Sequence, residues 1–450
     1  MHPSHVTFLF RDGKEAVILH QNLKAMTASI PSKLRLDNAA NIYPASMSKH
    51  YSSLYRMRIG LKEDIDKEVL QSALATVSQR IPTFRCTLKA GAFWWYLKRV
   101  EKTPKVRAVK PLKSFNFCEQ DGLLYRVSTK GNQIFLDIFH ALTDGFGALS
   151  FLLTLTGEYL HRKYGVQIDY NAITLDPKDT PVYAEVEDSF KTVFTGRHGT
   201  LEKNVDAYHI HGSPLPFGTV KDLRLVMPLD KIGDVCKKYG CTVTELMTSV
   251  MLWALQEEHR HDDNKKKRSV LKVSVPVNLR PIYKSRTVRN FSSYVNLGMD
   301  VRDGYLTFDR IVEHIKAQKA HDLQLSELEP KIAANVELEE MLIVRCLPLV
   351  FKHPIIDIIN LLHGDRFCSQ TLSNMGNVSV PQAMVPFIQD MDFMLGRQRG
   401  NSGAASCLGF NGKLYFHLTR KIARDSFEFA FLRQLSALEI PVSATLENLA

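Results

Sequence analysis

The stretch FLDIFHALTDGFGALSFL, residues 135–152, sets one histidine between a strand-like apolar run and a glycine-broken turn that opens a helix. Side chains along a strand alternate between two faces, so Ile134, Leu136, Ile138 and His140 share one face and Phe135, Asp137 and Phe139 the other. Apolar residues on both faces mark an interior strand. His140 therefore stands where a buried strand meets a loop, the place where α/β proteins put ligands. Asp144 is placed to fold back on the loop or fix the imidazole, and Gly145 to permit a positive φ. The plain structural alternative is a satisfied core histidine followed by an N-capping aspartate.

Working outward, YSSLYRMRI (51–59) alternates as a strand, and KEDIDKEVLQSALATVSQRIP (62–82) puts Ile65, Val69, Leu70, Ala73, Leu74 and Val77 on one helical face before Pro82. GAFWWYLKRV (91–100) and GLLYRVSTKGNQIFLDIFH (122–140) supply strands joined by turns, and the helix from Phe146 closes at Gly165. Prolines and polar residues then accumulate in LDPKDTPVYAEVEDS (175–189) and HGSPLPFGTVKD (211–222), the signature of a crossover. Beyond it lie an amphipathic helix (242–260), the strand SVLKVSVPVNLRP (269–281), a hairpin at Asn411-Gly412 in CLGFNGKLYFHLTR, and a closing helix (425–435). The expected organisation is α/β in two lobes, each a mixed sheet with packed helices. The boundaries are an unassigned segment 1–40, a first lobe 41–175, a crossover 176–220 and a second lobe 221–450.

A chain of 450 residues with 45% hydrophobic and 23% charged content has the make-up of a soluble globular protein too long for one core. Its net charge of +11 favours an anionic partner such as a phosphorylated small molecule, a nucleic acid or an anionic surface. Seven scattered cysteines, with no CxxC pair and no secretory signal at the N-terminus, point to reduced thiols and a cytoplasmic location. No uncharged apolar run reaches the roughly 18–20 residues of a membrane span. The nearest, MLIVRCLPLVFKHPIIDIINLL (341–362), is broken by Arg345, Lys352, Asp357 and two prolines, which suggests buried helices around a kink. EEHRHDDNKKKR (257–268) offers His259, His261, Asp262 and Asp263 to a metal, but its density of charge past a helix end reads as a polar connector. YHIHG (208–212) presents His209 and His211 with no third ligand at useful spacing. No metal site, nucleotide-binding loop or nucleic-acid motif follows, and Trp94-Trp95 are expected in a core or pocket lining.

HALTDGFGALSFL resembles the HxxxDG active-site motif of CoA-dependent acyltransferases of the chloramphenicol acetyltransferase-like fold, a superfamily that includes peptide-synthetase condensation domains and alcohol acetyltransferases. VSVPVNLRP (273–281), RNFSSYVN (289–296) and TLSNMGNVSVP (371–381) resemble later segments of that family in order and approximate spacing, so the likeness covers about 40–430. It is nearest to the bacterial alcohol acetyltransferase-like branch. Two departures stand out. Phe139 occupies the place of the first of two histidines usual in condensation domains, and the DFGWG motif of the plant branch is absent.

The resemblance implies two lobes with an active-site channel between them, His140 as general base, and an acyl-CoA such as acetyl-CoA as co-substrate, with no bound cofactor. It implies that Asp144 points away from the substrate into an ion pair, for which Arg280 is the candidate partner. Asn374 and Ser373, then Ser292 and Ser293, are candidates for donors to the developing oxyanion, although Ser-Asn-Met-Gly equally suits a turn. Lys284, Arg286 and Arg289 are candidates for holding donor phosphates. The expected reaction moves an acetyl or short acyl group from a CoA thioester to a small alcohol or amine. An acyl carrier protein as donor, and a binding relative of the fold without turnover, are the alternatives.

Overall fold

The interior strand predicted before His140 organises the first lobe. Strands β1 (Lys33–Arg35), β2 (Leu54–Leu61), β3 (Cys86–Ala90), β4 (Trp95–Arg99), β5 (Arg107–Ala108), β6 (Tyr125–Lys130) and β7 (Gln133–Phe139) precede the crossover. β7 pairs antiparallel with β2 on one side and β6 on the other. Ile134, Leu136, Ile138 and Phe139 have no exposed surface. Asp137 is equally buried. It survives there because its register partners are arginines: Arg56 of β2 reaches it at 2.5 and 2.9 Å and Arg126 of β6 at 3.0 Å. A charge in such a place is tolerated only when paired. The structure is a computed structural model that describes residues 30–47, 51, 53–112, 115, 117–199, 205–216, 219–264, 267–352, 354–355 and 365–448.

Helix α1 (Lys67–Arg80) is N-capped by Asp66, which accepts from the Val69 amide, and buries Leu70, Ala73, Leu74 and Val77 on the sheet. Helix α2 (Gly145–Tyr164) runs from the motif to Gly165, whose φ of 69° closes it.

The second lobe carries β8 (Lys221–Pro228), β9 (Val270–Asn278), β10 (Ser292–Asp300), β11 (Gln370–Asn377), β12 (Ile388–Leu395), β13 (Gly403–Phe410), β14 (Lys413–Arg420) and β15 (Ser443–Asn448). Its seven-stranded sheet runs β10-β9-β11-β13-β14-β8-β15. It is mixed, with β11 parallel to both neighbours and the other pairs antiparallel. The predicted hairpin is β13–β14, where Asn411 and Gly412 both take positive φ. Helices α3 (Leu229–Tyr239), α4 (Val243–Arg260), α5 (Phe308–Asp322), α6 (Leu325–Glu340) and α7 (Ser426–Ala437) complete the lobe. A Thr242–Glu245 capping box starts α4.

Three expectations need correction. The cut at 220 does not separate the sheets, because β12 returns to the first lobe and pairs with β2 from Ile388↔Leu61 to Leu395↔Tyr55. It covers an edge that β2 would otherwise leave open. The end of the unassigned segment is structured: β1 joins β4, and Asp37, with Tyr43 just beyond the segment, reaches the site described below, while residues 1–29 lie outside the described residues. The apolar run from 341 is largely exposed among its described residues: Leu342, Val350 and Phe351 face outward. Leu349 and Lys352 are the buried residues among those described in it, the Lys352 ammonium 3.3 Å from the Trp94 ring centre and 2.8 Å from the Phe93 carbonyl. Arg35 covers Trp94 at 4.0 Å, so that ring is clasped between cations. Residues 356–364 of that run lie outside the described residues, and no helix among those described is long and apolar enough to cross a membrane.

Where β12 joins the two sheets, Asp392 accepts from Arg58 of β2, from Arg224 of β8 (2.8 Å) and from His417 of β14 (2.9 Å). The other ring nitrogen of His417 lies 2.7 Å from Asp222. Both nitrogens face carboxylates, so both carry protons. Burial alone would push this imidazole down, but Asp222 and Asp392 outweigh it and hold it up to about 10. A folded-state value above the unfolded 6.5 means that this contribution is complete below 6.5 and is lost as pH rises through about 10. Thermal midpoints measured across that window should therefore fall more steeply in the wild type than in His417→Gln. Parallel curves would refute the assignment.

Candidate active site

At the end of β7 the His140 amide donates to the Ser53 carbonyl (2.9 Å), which carries the β2–β7 pairing one residue further. The ring is half-buried. Tyr43 stacks on it at 4.4 Å with 17° between planes, and Tyr55 meets it edge-on at 5.1 Å. Its Nδ1 lies 3.2 Å from Asn290 Oδ1. Asn290 donates through Nδ2 to Asp37 Oδ2 (3.3 Å), which turns the amide oxygen toward the imidazole. Nδ1 therefore carries the proton and donates, leaving the Nε2 lone pair available. Burial pushes the ring below its ordinary 6.5, although its own backbone, Asp144 and Asn290 pull the other way. The imidazole is neutral at physiological pH. Burial also raises Asp37 to about 7 against the pull of Arg289.

Asp144 has two jobs. Its Oδ1 accepts from the Gly147 amide (3.3 Å), capping α2, and its two oxygens accept both ends of the Arg280 guanidinium at 2.9 and 3.0 Å. The Phe291 amide adds a bond to Oδ2 at 2.9 Å. Arg280 is completed by the carbonyls of Thr287 (2.7 Å) and Arg289 and by Asn278 Oδ1 (3.1 Å), with Phe146 stacked 4.5 Å from its centre. Every donor of this buried cation is directed at protein. The pair thus bolts the loop of the first lobe onto the second and leaves Asp144 turned away from the half-buried imidazole.

Gly145 is not at positive φ; it is the first residue of α2. Its hydrogen instead leaves room for Met375, whose sulfur would lie 2.6 Å from an added Cβ. Gly147 is the tighter position, because a Cβ there would meet the Val288 carbonyl oxygen at 2.0 Å. Thr143 Oγ donates to that same carbonyl at 2.5 Å.

Asn374 is tied to Thr244 Oγ (3.0 Å) through its amide nitrogen and accepts from the Gly376 amide (2.8 Å), a turn with Gly376 at φ 71°. Among the described contacts no hydrogen bond joins it to His140. Ser373 is half-buried beside it, and Ser292 and Ser293 begin β10 half-buried. Of the donor-binding candidates, Lys284 and Arg286 are exposed, the latter 3.7 Å from Glu185. Arg289 is not available to a ligand: it is buried and occupied by the carbonyls of Val186 (3.2 Å) and Arg35 (2.6 Å) and by Asp37. Asp37, Tyr43, Tyr55 and Asn290 were not found from sequence. Asn290 sits in the RNFSSYVN segment, and that was the only pointer to any of the four.

No family model matches the sequence, and no curated protein matches it. Solved structures do. Polyketide synthase associated protein 5 from Mycobacterium tuberculosis is 15% identical with a TM-score of 0.60, over 91% of this chain and 99% of that one. Trichothecene 15-O-acetyltransferase from Fusarium sporotrichioides is 9% identical with a TM-score of 0.57, over 92% and 96%. The first condensation domain of the calcium-dependent antibiotic synthetase is 16% identical with a TM-score of 0.57, over 92% and 97%. The chain has the two-lobed fold of the CoA-dependent acyltransferases and condensation domains.

Proposed function

We propose that this chain is an acyltransferase that moves an acetyl or short acyl group from a CoA thioester to the hydroxyl or amine of a small acceptor. The observation that carries this reading is a neutral, half-buried imidazole at the seam of the lobes, with Nδ1 committed to Asn290 and Nε2 left to accept a proton. In the reaction, Nε2 takes the acceptor's proton as its oxygen or nitrogen attacks the thioester carbonyl. The tetrahedral intermediate collapses, the C–S bond breaks, and the imidazolium returns the proton to the leaving thiolate. Asp144 stays with Arg280 and takes no proton. Asn374 and Ser373 are the proposed oxyanion donors, and Lys284 and Arg286 the proposed contacts to donor phosphates. The choice of donor is supported by the fold, one member of which, from Fusarium sporotrichioides, was solved as a complex with coenzyme A and T-2.

The test is thiol release from acetyl-CoA in the presence of a panel of alcohols and amines, with covalent transfer confirmed by mass. Release above the acceptor-free background is expected. Silence with free CoA thioesters and turnover with a carrier-bound acyl group would move the donor assignment, and silence with both would leave the fold without this activity. A base must be unprotonated, so kcat/KM should fall as pH drops through the His140 value. Because burial lowers that value, the acid limb should lie below 6.5. A limb at or above 6.5 would contradict the described environment.

A further inference from the structure

Two stretches that the transfer site leaves unused, YHIHG and the charged connector 257–268, come together at the opposite end of the second sheet. They line a cleft of about 560 Å³ near the starts of β9, β11 and β13 and the end of β14. β9 measures the separation: it begins beside the cleft at Val270 and ends at Asn278 beside Arg280, about 26 Å at roughly 3.3 Å per residue.

The floor is held by backbone pairing, with the Tyr208 amide on the Val270 carbonyl (2.7 Å) and the Ala207 amide on that of Arg366 (3.1 Å). Lys267, Arg268, Arg366 and Lys421 bring four cationic side chains to the walls, and His209 and His211 two imidazoles. Arg268 and Arg366 converge on a single carboxylate oxygen, Asp206 Oδ2, at 2.8 and 2.5 Å. Among the described residues both guanidiniums share this carboxylate, and each is still 40% or more exposed. Lys267 Nζ rests on the carbonyls of His259 and Asp262, both at 2.6 Å, and Lys421 Nζ on those of Gln398 (2.9 Å) and Arg399 (2.6 Å). These bonds fix where the ammonium groups stand. Asp262 accepts from Tyr208 Oη and the Asn264 amide. Among the described residues, four preplaced cations stand with two carboxylates around a cleft of small-molecule size.

We propose that this cleft binds a phosphorylated small molecule, distinct from the thioester handled at His140. Exposed guanidinium N–H groups offer the fork that fits phosphate oxygens. A ligand with two or more negative charges can use both arginines and the flanking lysines together, which a single carboxylate cannot. The inference does not depend on the proposed transfer reaction.

The probe is inorganic pyrophosphate, titrated calorimetrically into the full chain at matched ionic strength so that screening stays constant. In parallel, acylation of wild-type lysines by an amine-reactive reagent is followed by mass spectrometry. Saturable binding is expected, with labelling of Lys267 and Lys421 falling several-fold and that of exposed Lys237, on α3, unchanged. Arg268→Gln/Arg366→Gln should weaken binding at least tenfold with the thermal midpoint retained. Absence of saturation, equal protection of Lys237, or unaltered affinity in the double variant would overturn the site. If that variant does not fold, the wild-type labelling pattern decides alone.

Discussion

Replacing His140 with alanine should reduce thioester-dependent transfer by roughly 10²–10⁴-fold, the usual size of a general-base contribution. The fold should survive. The ring is half-buried, carries no charge at neutral pH, and loses one hydrogen bond, to Asn290, and its stacking with Tyr43. A neutral hydrogen bond is worth about 1 kcal/mol, so the variant's thermal transition should remain cooperative. The loss should fall on kcat, because the proton moves only in the transition state. Asn290→Ala should behave differently. It leaves the base in place but frees its tautomer and orientation, so a smaller fall in kcat with a shifted acid limb is expected. A His140→Ala enzyme with full turnover would remove the imidazole from the mechanism altogether, whatever the fate of the fold.

What the sequence made legible and what it hid divide along physical lines. β7 was readable because its alternation is local and both faces are apolar, and α2 because its cap, period and closing glycine lie on one short stretch. The Asp144–Arg280 pair spans 136 residues and came only from the family likeness; nothing in the spacing required it. Asn290, Asp37 and Tyr43 were invisible for the same reason without such help. Each is a single side chain, Tyr43 in a four-residue helix and Asp37 and Asn290 in irregular backbone, brought to His140 from far along the chain by tertiary packing that leaves no periodic trace. β12 was hidden differently. Its alternating residues fit either sheet, and pairing with β2 is a matter of edges left open elsewhere in the chain. Gly145 shows a third kind of limit, since a glycine needed for positive φ and one needed for clearance look alike in a sequence. The structure chooses clearance, against Met375. Arg289 sits three residues from exposed Arg286, yet only Arg289 points inward.

The second large effect concerns Asp144. Asp144→Ala leaves Arg280 buried, its side chain 4% exposed, with its carboxylate gone, and removal of one partner from such a pair costs about 3–5 kcal/mol. The cap on α2 and the bond from the Phe291 amide disappear with it. Against a total stability of roughly 5–15 kcal/mol, that is enough to unfold much of the population on warming. Arg280→Met should be less damaging, because Asp144 keeps two backbone amides. Asp144→Ala/Arg280→Met should recover much of the loss, since no unpaired charge is left inside. Denaturant unfolding of the four proteins gives the coupling between the two sites directly. If the pair is structural, transfer activity per folded molecule in the double variant should stay near wild type. A double variant that regains stability yet stays inactive would mean that the Asp144 charge acts on the imidazole after all, and the division of labour between His140 and the Asp144–Arg280 bolt would have to be redrawn.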